Sequence, residues 1–188
     1  NVGLLTLVDA NPDWLPQFEH LIFESGQGLL LDEDYEAYAP HLTSSKTGMH
    51  NPAHFLEKRG LTLDEAIYVT RSYVTRHGEG PLPCETARAK LPRVGADLTN
   101  QPNEWQGTLR YAQHESMGAF FAPVEQDRES VRLFLSTRDT NLSILITHLN
   151  ETGNRLYFEE EDVSFERVRR EGERRGIRCM EEVKVRVK

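Results

Sequence analysis

The chain has 188 residues, with 22 lysines and arginines against 30 aspartates and glutamates, a net charge of −8, and 38% hydrophobic residues. That balance belongs to a folded, rather polar globular domain and excludes disordered and fibrous chains. The two cysteines, Cys84 and Cys179, stand far apart and outside any CxxC pair, which excludes a disulfide scaffold and a cysteine-rich zinc site, and no apolar run reaches the roughly 20 residues that span a bilayer.

The length suits one core, and no repeat or low-complexity linker divides it, so the expectation is a single domain over residues 1–188. The chain opens on Asn1, which marks either a processed product or a piece of something longer. Leu4–Val8 is short and follows no basic residue, unlike a signal peptide. Asp13–His20 reads as a short helix, and the apolar run Leu21–Glu24 breaks at Ser25-Gly26-Gln27-Gly28. Thr62 with Glu65 three residues on has capping-box spacing and predicts a helix start. Ile67–Thr75 is rich in β-branched residues and tyrosine and predicts a strand. Two glycines and two prolines within Gly78–Pro83 end regular structure there. Glu129–Thr137 is a helix candidate. Leu142–Leu149 reads LSILITHL, the near-continuous apolar run of a strand buried on both faces, as in parallel sheets. Ser164–Arg175 predicts a helix with Phe165, Val168 and Gly172 on one side and Gly176 as its stop. Val183, Val185 and Val187 alternate with basic residues as a half-exposed strand. Strands separated by helices give an α/β class, with a mostly parallel sheet flanked by helices.

Charge is uneven. From Phe165 to Lys188 nine basic residues meet five glutamates, a local +4. The two signs alternate, as on a solvated helix face, so nucleic acid is not the expected partner. The acidic runs Asp32–Glu36 and Glu159–Asp162 read as solvated loops.

Two local constellations could carry chemistry. Arg76-His77-Gly78-Glu79 follows a predicted strand and has the look of the histidine phosphatases, in which a neutral imidazole attacks phosphorus. Against it, that family carries the motif near the N-terminus, whereas 75 residues precede it here, and a strand-end loop with ordinary contacts explains the same residues. His50-x3-His54-x2-Glu57 has metal-ligand spacing, but Pro52 lies between the histidines, so a loop or first helical turn is expected and no metal site is assigned.

A chain-wide pattern outweighs both. Phe23-Glu24-Ser25-Gly26-Gln27-Gly28-Leu29-Leu30-Leu31-Asp32 resembles the FEGAQGTLLD segment of the adenylosuccinate synthetase family. Leu42-Thr43-Ser44-Ser45-Lys46-Thr47 resembles that family's VTSSNT, and Tyr73 to Glu85 resembles its YxTRVGxGPFPTE. Asn103-Glu104-Trp105 fits its NEF/NEW, and Thr147-His148-Leu149-Asn150 sits where the family has TKLD. The motifs follow in order over about residues 21–150. His77 then falls on a valine of the family, which makes the phosphatase look a coincidence.

The resemblance implies a P-loop-NTPase-like α/β fold and a cytoplasmic, homodimeric enzyme. It implies the GTP- and magnesium-dependent joining of aspartate to inosine monophosphate (IMP) through phosphorylation of the base 6-oxygen. Gln27 matches the catalytic glutamine at that oxygen, where an amide can donate without carrying charge. Thr43 matches a phosphate contact, Arg76-His77-Gly78 the loop beside the ribose, and Arg110 an arginine of the aspartate-holding loop. His148 and Asn150 match the residues that read the guanine. The departures carry expectations too. The family's glycine-rich GDEGKGK loop and its catalytic aspartate and histidine have no counterpart in these 188 residues. This implies a missing N-terminal half or a separate chain that supplies them, with no magnesium ligands of this chain's own. Gln106-Gly107-Thr108-Leu109-Arg110 holds one arginine where the family has several, and Asn150 replaces a carboxylate, which predicts a relaxed guanine preference. The alternative is a non-catalytic nucleotide-binding or interaction module on the same scaffold, with the histidine phosphatase a distant third.

Overall fold

The computed structural model describes residues 15–91, 93–95, 100, 102, 104 and 107–182. Its centre is a parallel sheet of β1 (Glu65–Arg71), β5 (Asn141–Thr147) and β8 (Arg178–Glu181) in the order β1-β5-β8. β1 runs beside β5 from Glu65↔Asn141 to Arg71↔Thr147, and β5 beside β8 from Ser143↔Arg178 to Ile146↔Glu181. The apolar run of β5 is the reason the sheet forms here. Leu142, Ile144 and Ile146 are buried in one cluster with Phe121, Val124 and Val131 of α2 (Met117–Val131) and Val168 of α4 (Phe165–Arg174). The remaining helices are α1 (His50–Glu57) and the single turn α3 (Leu149–Thr152). An antiparallel sheet, β2 (Val74–Arg76), β4 (Arg110–Ala112) and β3 (Glu85–Thr86) in the order β2-β4-β3, continues from the carboxyl end of β1. A hairpin of β6 (Arg155–Tyr157) and β7 (Asp162–Ser164) precedes α4. The α/β class and the parallel sheet with helices against it are as the sequence predicts.

Local rules explain the strongest agreements. Ser164 caps α4 by accepting the Arg167 N–H at 3.4 Å, and Gly176 ends it at φ 71°. Val168 and Gly172 of that helix are buried and Phe165 packs on the core, as the spacing requires.

Four expectations need correction. Thr62 begins no helix: its hydroxyl donates to Asp64 at 3.1 Å, and Glu65 already opens β1. Pairing with β5 overrides the capping pattern. The strand expected over Ile67–Thr75 is two strands separated at Ser72-Tyr73, both buried, where the chain leaves the parallel sheet for the antiparallel one. The helix expected at Glu129–Thr137 lies earlier, at Met117–Val131, capped by Ser116 and carried through Pro123 by the burial of Phe121 and Val124. It is followed by a 3-10 turn at Leu135–Thr137. Asp13–His20 is described from Leu15 on and holds only a 3-10 turn, Leu15–Gln17. The strand expected at Val183–Val187 lies outside the described residues.

Two turns of helix form where a loop or first turn was expected. In α1 Pro52 occupies the first turn, where its missing N–H costs nothing. The rings of His50 and His54 meet Phe134 edge-on, with centroids 5.4 and 6.1 Å away. The two histidines therefore pack on an aromatic ring. Asp127 of α2 anchors the start of α1: its carboxylate accepts the Met49 N–H at 2.9 Å and the Tyr68 hydroxyl at 2.7 Å. The approach is so close that a Cβ on Gly48 would lie 2.2 Å from that carboxylate. Burial pushes both Asp127 and Tyr68 toward their neutral forms.

Candidate functional site

The segments expected to form a site converge on one loop. After β2 the chain turns through His77, Gly78, Glu79 and Gly80, and Arg76 pins that turn. Its Nε donates to the Glu79 carbonyl at 3.0 Å and its Nη2 to the His41 carbonyl at 3.1 Å. Gly80 has φ 107°, and a Cβ there would stand 2.5 Å from Arg76 Nη2 and 2.7 Å from the His41 Cβ, so only glycine fits. From the other side Arg110 of β4 donates through Nη1 to the carbonyls of Gly78 (3.0 Å) and Gly80 (2.8 Å). It also makes a bidentate pair with Glu85, Nε to Oε1 at 2.8 Å and Nη2 to Oε2 at 2.5 Å. The Arg110 hydrogen bonds and charge hold the Glu85 carboxyl below the usual carboxylate range. A substrate carboxylate would reach Arg110 only by displacing Glu85.

Within this frame His77 is unusual. Both of its ring nitrogens are shut off from solvent and have no hydrogen-bond partner among the described residues. Buried polar atoms are nearly always satisfied, so two such nitrogens on one ring call for an explanation.

Thr43 belongs to the segment that follows His41. Its N–H donates to the Leu31 carbonyl at 2.9 Å, and two residues earlier His41 contacts Arg76. Glu33 N–H to Ser45 (3.2 Å) and Thr47 N–H to Asp32 Oδ2 (2.7 Å) continue the zipping of residues 31–33 against 43–47. Gln27 stands exposed just before the 3-10 turn Leu29–Leu31, and its carbonyl accepts the Ser25 hydroxyl at 3.4 Å. Arg76, Gly78 and Arg110 thus meet at one loop around His77, while Thr43 follows two residues after His41, which that loop touches, and Gln27 precedes the Leu29–Leu31 turn to which Thr43 bonds.

A second group sits at the carboxyl end of β5, where open α/β sheets take ligands. His148 occupies the left-handed region at φ 63°, its Nδ1 is 2.9 Å from the Thr147 hydroxyl, and its ring meets Tyr73 edge-on at 5.7 Å. Asn150 is exposed in the first residues of α3. The Tyr73 hydroxyl donates to Glu151 at 3.4 Å, and burial followed by that carboxylate raises the phenol to about 12.

Sequence reasoning missed a third feature. A cavity of about 140 Å³ between the Asp32–Tyr35 loop and α2 is lined by Leu29, Asp32, Lys46, His50 and Asp127 among others. Lys46 pairs with Asp34 and lies 3.9 Å from Asp32 and 3.6 Å from Glu33. The acidic run taken as a solvated loop is therefore partly the wall of a cavity. The signal was the lysine twelve residues beyond Asp34. Among the described residues no three histidines, cysteines or carboxylates converge as a metal-ligand set. None of the described helices is long and apolar enough to cross a membrane.

A family model described as adenylosuccinate synthetase matches residues 12–120. Adenylosuccinate synthetases of Francisella philomiragia subsp. philomiragia and Francisella tularensis subsp. novicida are each 42% identical to this chain over 67 residues. That stretch is 36% of this chain and only 15% of each relative. The Arg76–Glu85 loop, its Arg110 clamp and the Thr43 segment all lie inside the matched span.

Proposed function

From the premise that this chain belongs to the adenylosuccinate synthetase family, we propose that it is the purine-nucleotide-holding segment of a GTP-dependent ligase that joins IMP to aspartate. The observation that carries the reading is the pinned Arg76–Gly80 loop, with the buried nitrogens of His77 inside it, which have no partner among the described residues. A ribose hydroxyl both donates and accepts, which suits a neutral imidazole with one donor and one acceptor nitrogen.

In this reading Arg76, His77 and Gly78 hold the sugar side of the nucleotide and Thr43 a phosphate oxygen. Gln27 donates its amide N–H to the base 6-oxygen as negative charge develops there. Arg110 is a positioning residue that fixes the loop through its carbonyls. His148 and Asn150 would face the base of the phosphate donor. An asparagine meets only one of guanine's two adjacent N–H donors well, so GTP and ATP should bind there with similar affinity, as a paired titration would read. Magnesium and GTP come with the family, and the residues that would hold the metal are expected outside this chain. Cytoplasmic location and a homodimer belong to the same proposal. The rival reading is a nucleotide-binding module without chemistry.

The 188 residues carry no glycine-rich phosphate loop and no counterpart of the family's catalytic aspartate and histidine. Positioning and charge stabilisation supply nearly all of the rate in phosphoryl transfer. The purified 188-residue polypeptide, given IMP, aspartate, GTP and magnesium, is therefore expected to form no adenylosuccinate. Formation of product by the polypeptide alone would overturn the assignment of those steps to residues outside it.

A further inference from the structure

The segment from Thr43 to Met49 is tied down at every second residue. Thr43 N–H donates to the Leu31 carbonyl at 2.9 Å, the Ser45 carbonyl accepts the Glu33 N–H at 3.2 Å, and Thr47 N–H donates to Asp32 Oδ2 at 2.7 Å. The Thr47 hydroxyl donates to the same oxygen at 3.3 Å. These three residues lean on residues 31–33, in the loop that follows Gln27. The fourth tie goes elsewhere. Met49 N–H donates to Asp127 Oδ2 of α2 at 2.9 Å, and that oxygen also accepts the Tyr68 hydroxyl of β1 at 2.7 Å. One carboxylate oxygen therefore joins the end of the segment to a helix and to the parallel sheet.

The two anchoring carboxylates, Asp32 and Asp127, line the same cavity of about 140 Å³, and the segment runs from one to the other. Lys46 belongs to the Asp32 side, where it pairs with Asp34 and lies 3.6 Å from Glu33. Gly48 makes the approach to α2 possible, since a Cβ there would stand 2.2 Å from the Asp127 carboxylate. Met49 itself is buried in the core. Asp127 lies beyond residues 12–120, the span that matches the family model.

We propose that Asp127 is a positioning residue for the nucleotide phosphate, setting the place of Thr43 through Met49. The inference rests on the reading of Thr43 as a phosphate contact. A loop hydroxyl binds a phosphate oxygen well when its backbone is fixed beforehand, because ordering on binding costs affinity. The ties to residues 31–33 fix the segment to another loop only. Asp127 fixes it to α2 and β1. Without Asp127 the segment and residues 31–33 stay zipped together, but they lose this bond to the core. A carboxylate repels phosphate, so Asp127 serves binding through the backbone it holds.

Titration calorimetry with IMP on the 188-residue chain tests it. Asp127→Ala is expected to bind IMP about tenfold more weakly than the wild type with unchanged circular dichroism, as the loss of one phosphate hydrogen bond predicts. Thr43→Ala is expected to lose a similar factor. The double variant should lose no more than either single one, because both remove the same contact. If Asp127→Ala does not fold, Gly48→Ala decides in its place, since its methyl pushes the segment off the same carboxylate. IMP affinity in the deciding variant equal to or above that of the wild type overturns the inference, and so do losses that add in the double variant. A wild-type chain that binds no IMP, or a Thr43→Ala protein that binds it unchanged, overturns the reading on which the inference rests.

Discussion

Between pH 7 and pH 4 the free energy of unfolding should fall by about 3 kcal/mol through His114 alone. This residue is buried between Phe120 and Phe158, with ring centroids at 5.0 and 5.4 Å, and its Nε2 lies 3.2 Å from the Arg71 carbonyl. Burial pushes its imidazole from the ordinary 6.5 down to about 4, against the opposing effect of that carbonyl. The unfolded chain takes up the proton below about 6.5 and the folded one only below about 4. Stability is full above 6.5, declines through that window as the pH falls, and levels off below it. His114→Gln, whose amide can still donate to the carbonyl, removes the titration. Urea unfolding of both proteins across the window should therefore give a difference in stability that shrinks as the pH falls. A pH-independent difference would show that His114 titrates normally in the folded protein.

Removing the Arg110 guanidinium should cost about 1–3 kcal/mol and loosen the Arg76–Gly80 loop at the same time. One fork bonds both Glu85 oxygens while its third nitrogen holds two loop carbonyls, so Arg110→Ala leaves a carboxylate and two carbonyls to find water. The two side chains are 25% and 44% exposed, and solvent screening keeps the loss well below that of a fully buried pair. Arg110→Lys should recover little, because a point charge cannot reproduce the fork. Thermal unfolding would show a drop of several degrees for both variants. Equal stability of Arg110→Lys and wild type would mean that charge, and not geometry, fixes the loop.

How much was legible in the sequence depended on how local the cause was. The β5 strand and α4 with its Ser164 cap were readable because burial pattern and capping are written within a dozen residues. The Thr62-x2-Glu65 pattern failed because a partner 76 residues away, Asn141, claims Glu65 for the sheet. α2 lies earlier than the helix expected at Glu129–Thr137, because the burial of Phe121 and Val124 on the core side holds the helix through Pro123. The site motifs were legible as a family pattern, and their spatial meeting was not. Nothing in the sequence says that Arg110 is spent on Glu85, that His77 has no partner among the described residues, or that Asp127 and Lys46 line one cavity.

On the proposed reading the loop after β2 seats a purine nucleotide. Titration calorimetry with IMP on the wild-type chain and on Arg76→Ala tests it most directly. Binding by the wild type is expected, with a loss of about 1–3 kcal/mol in Arg76→Ala and a similar loss in Gln27→Ala. A wild-type chain that does not bind IMP would contradict it, as would Arg76→Ala and Gln27→Ala proteins that both bind as tightly as the wild type.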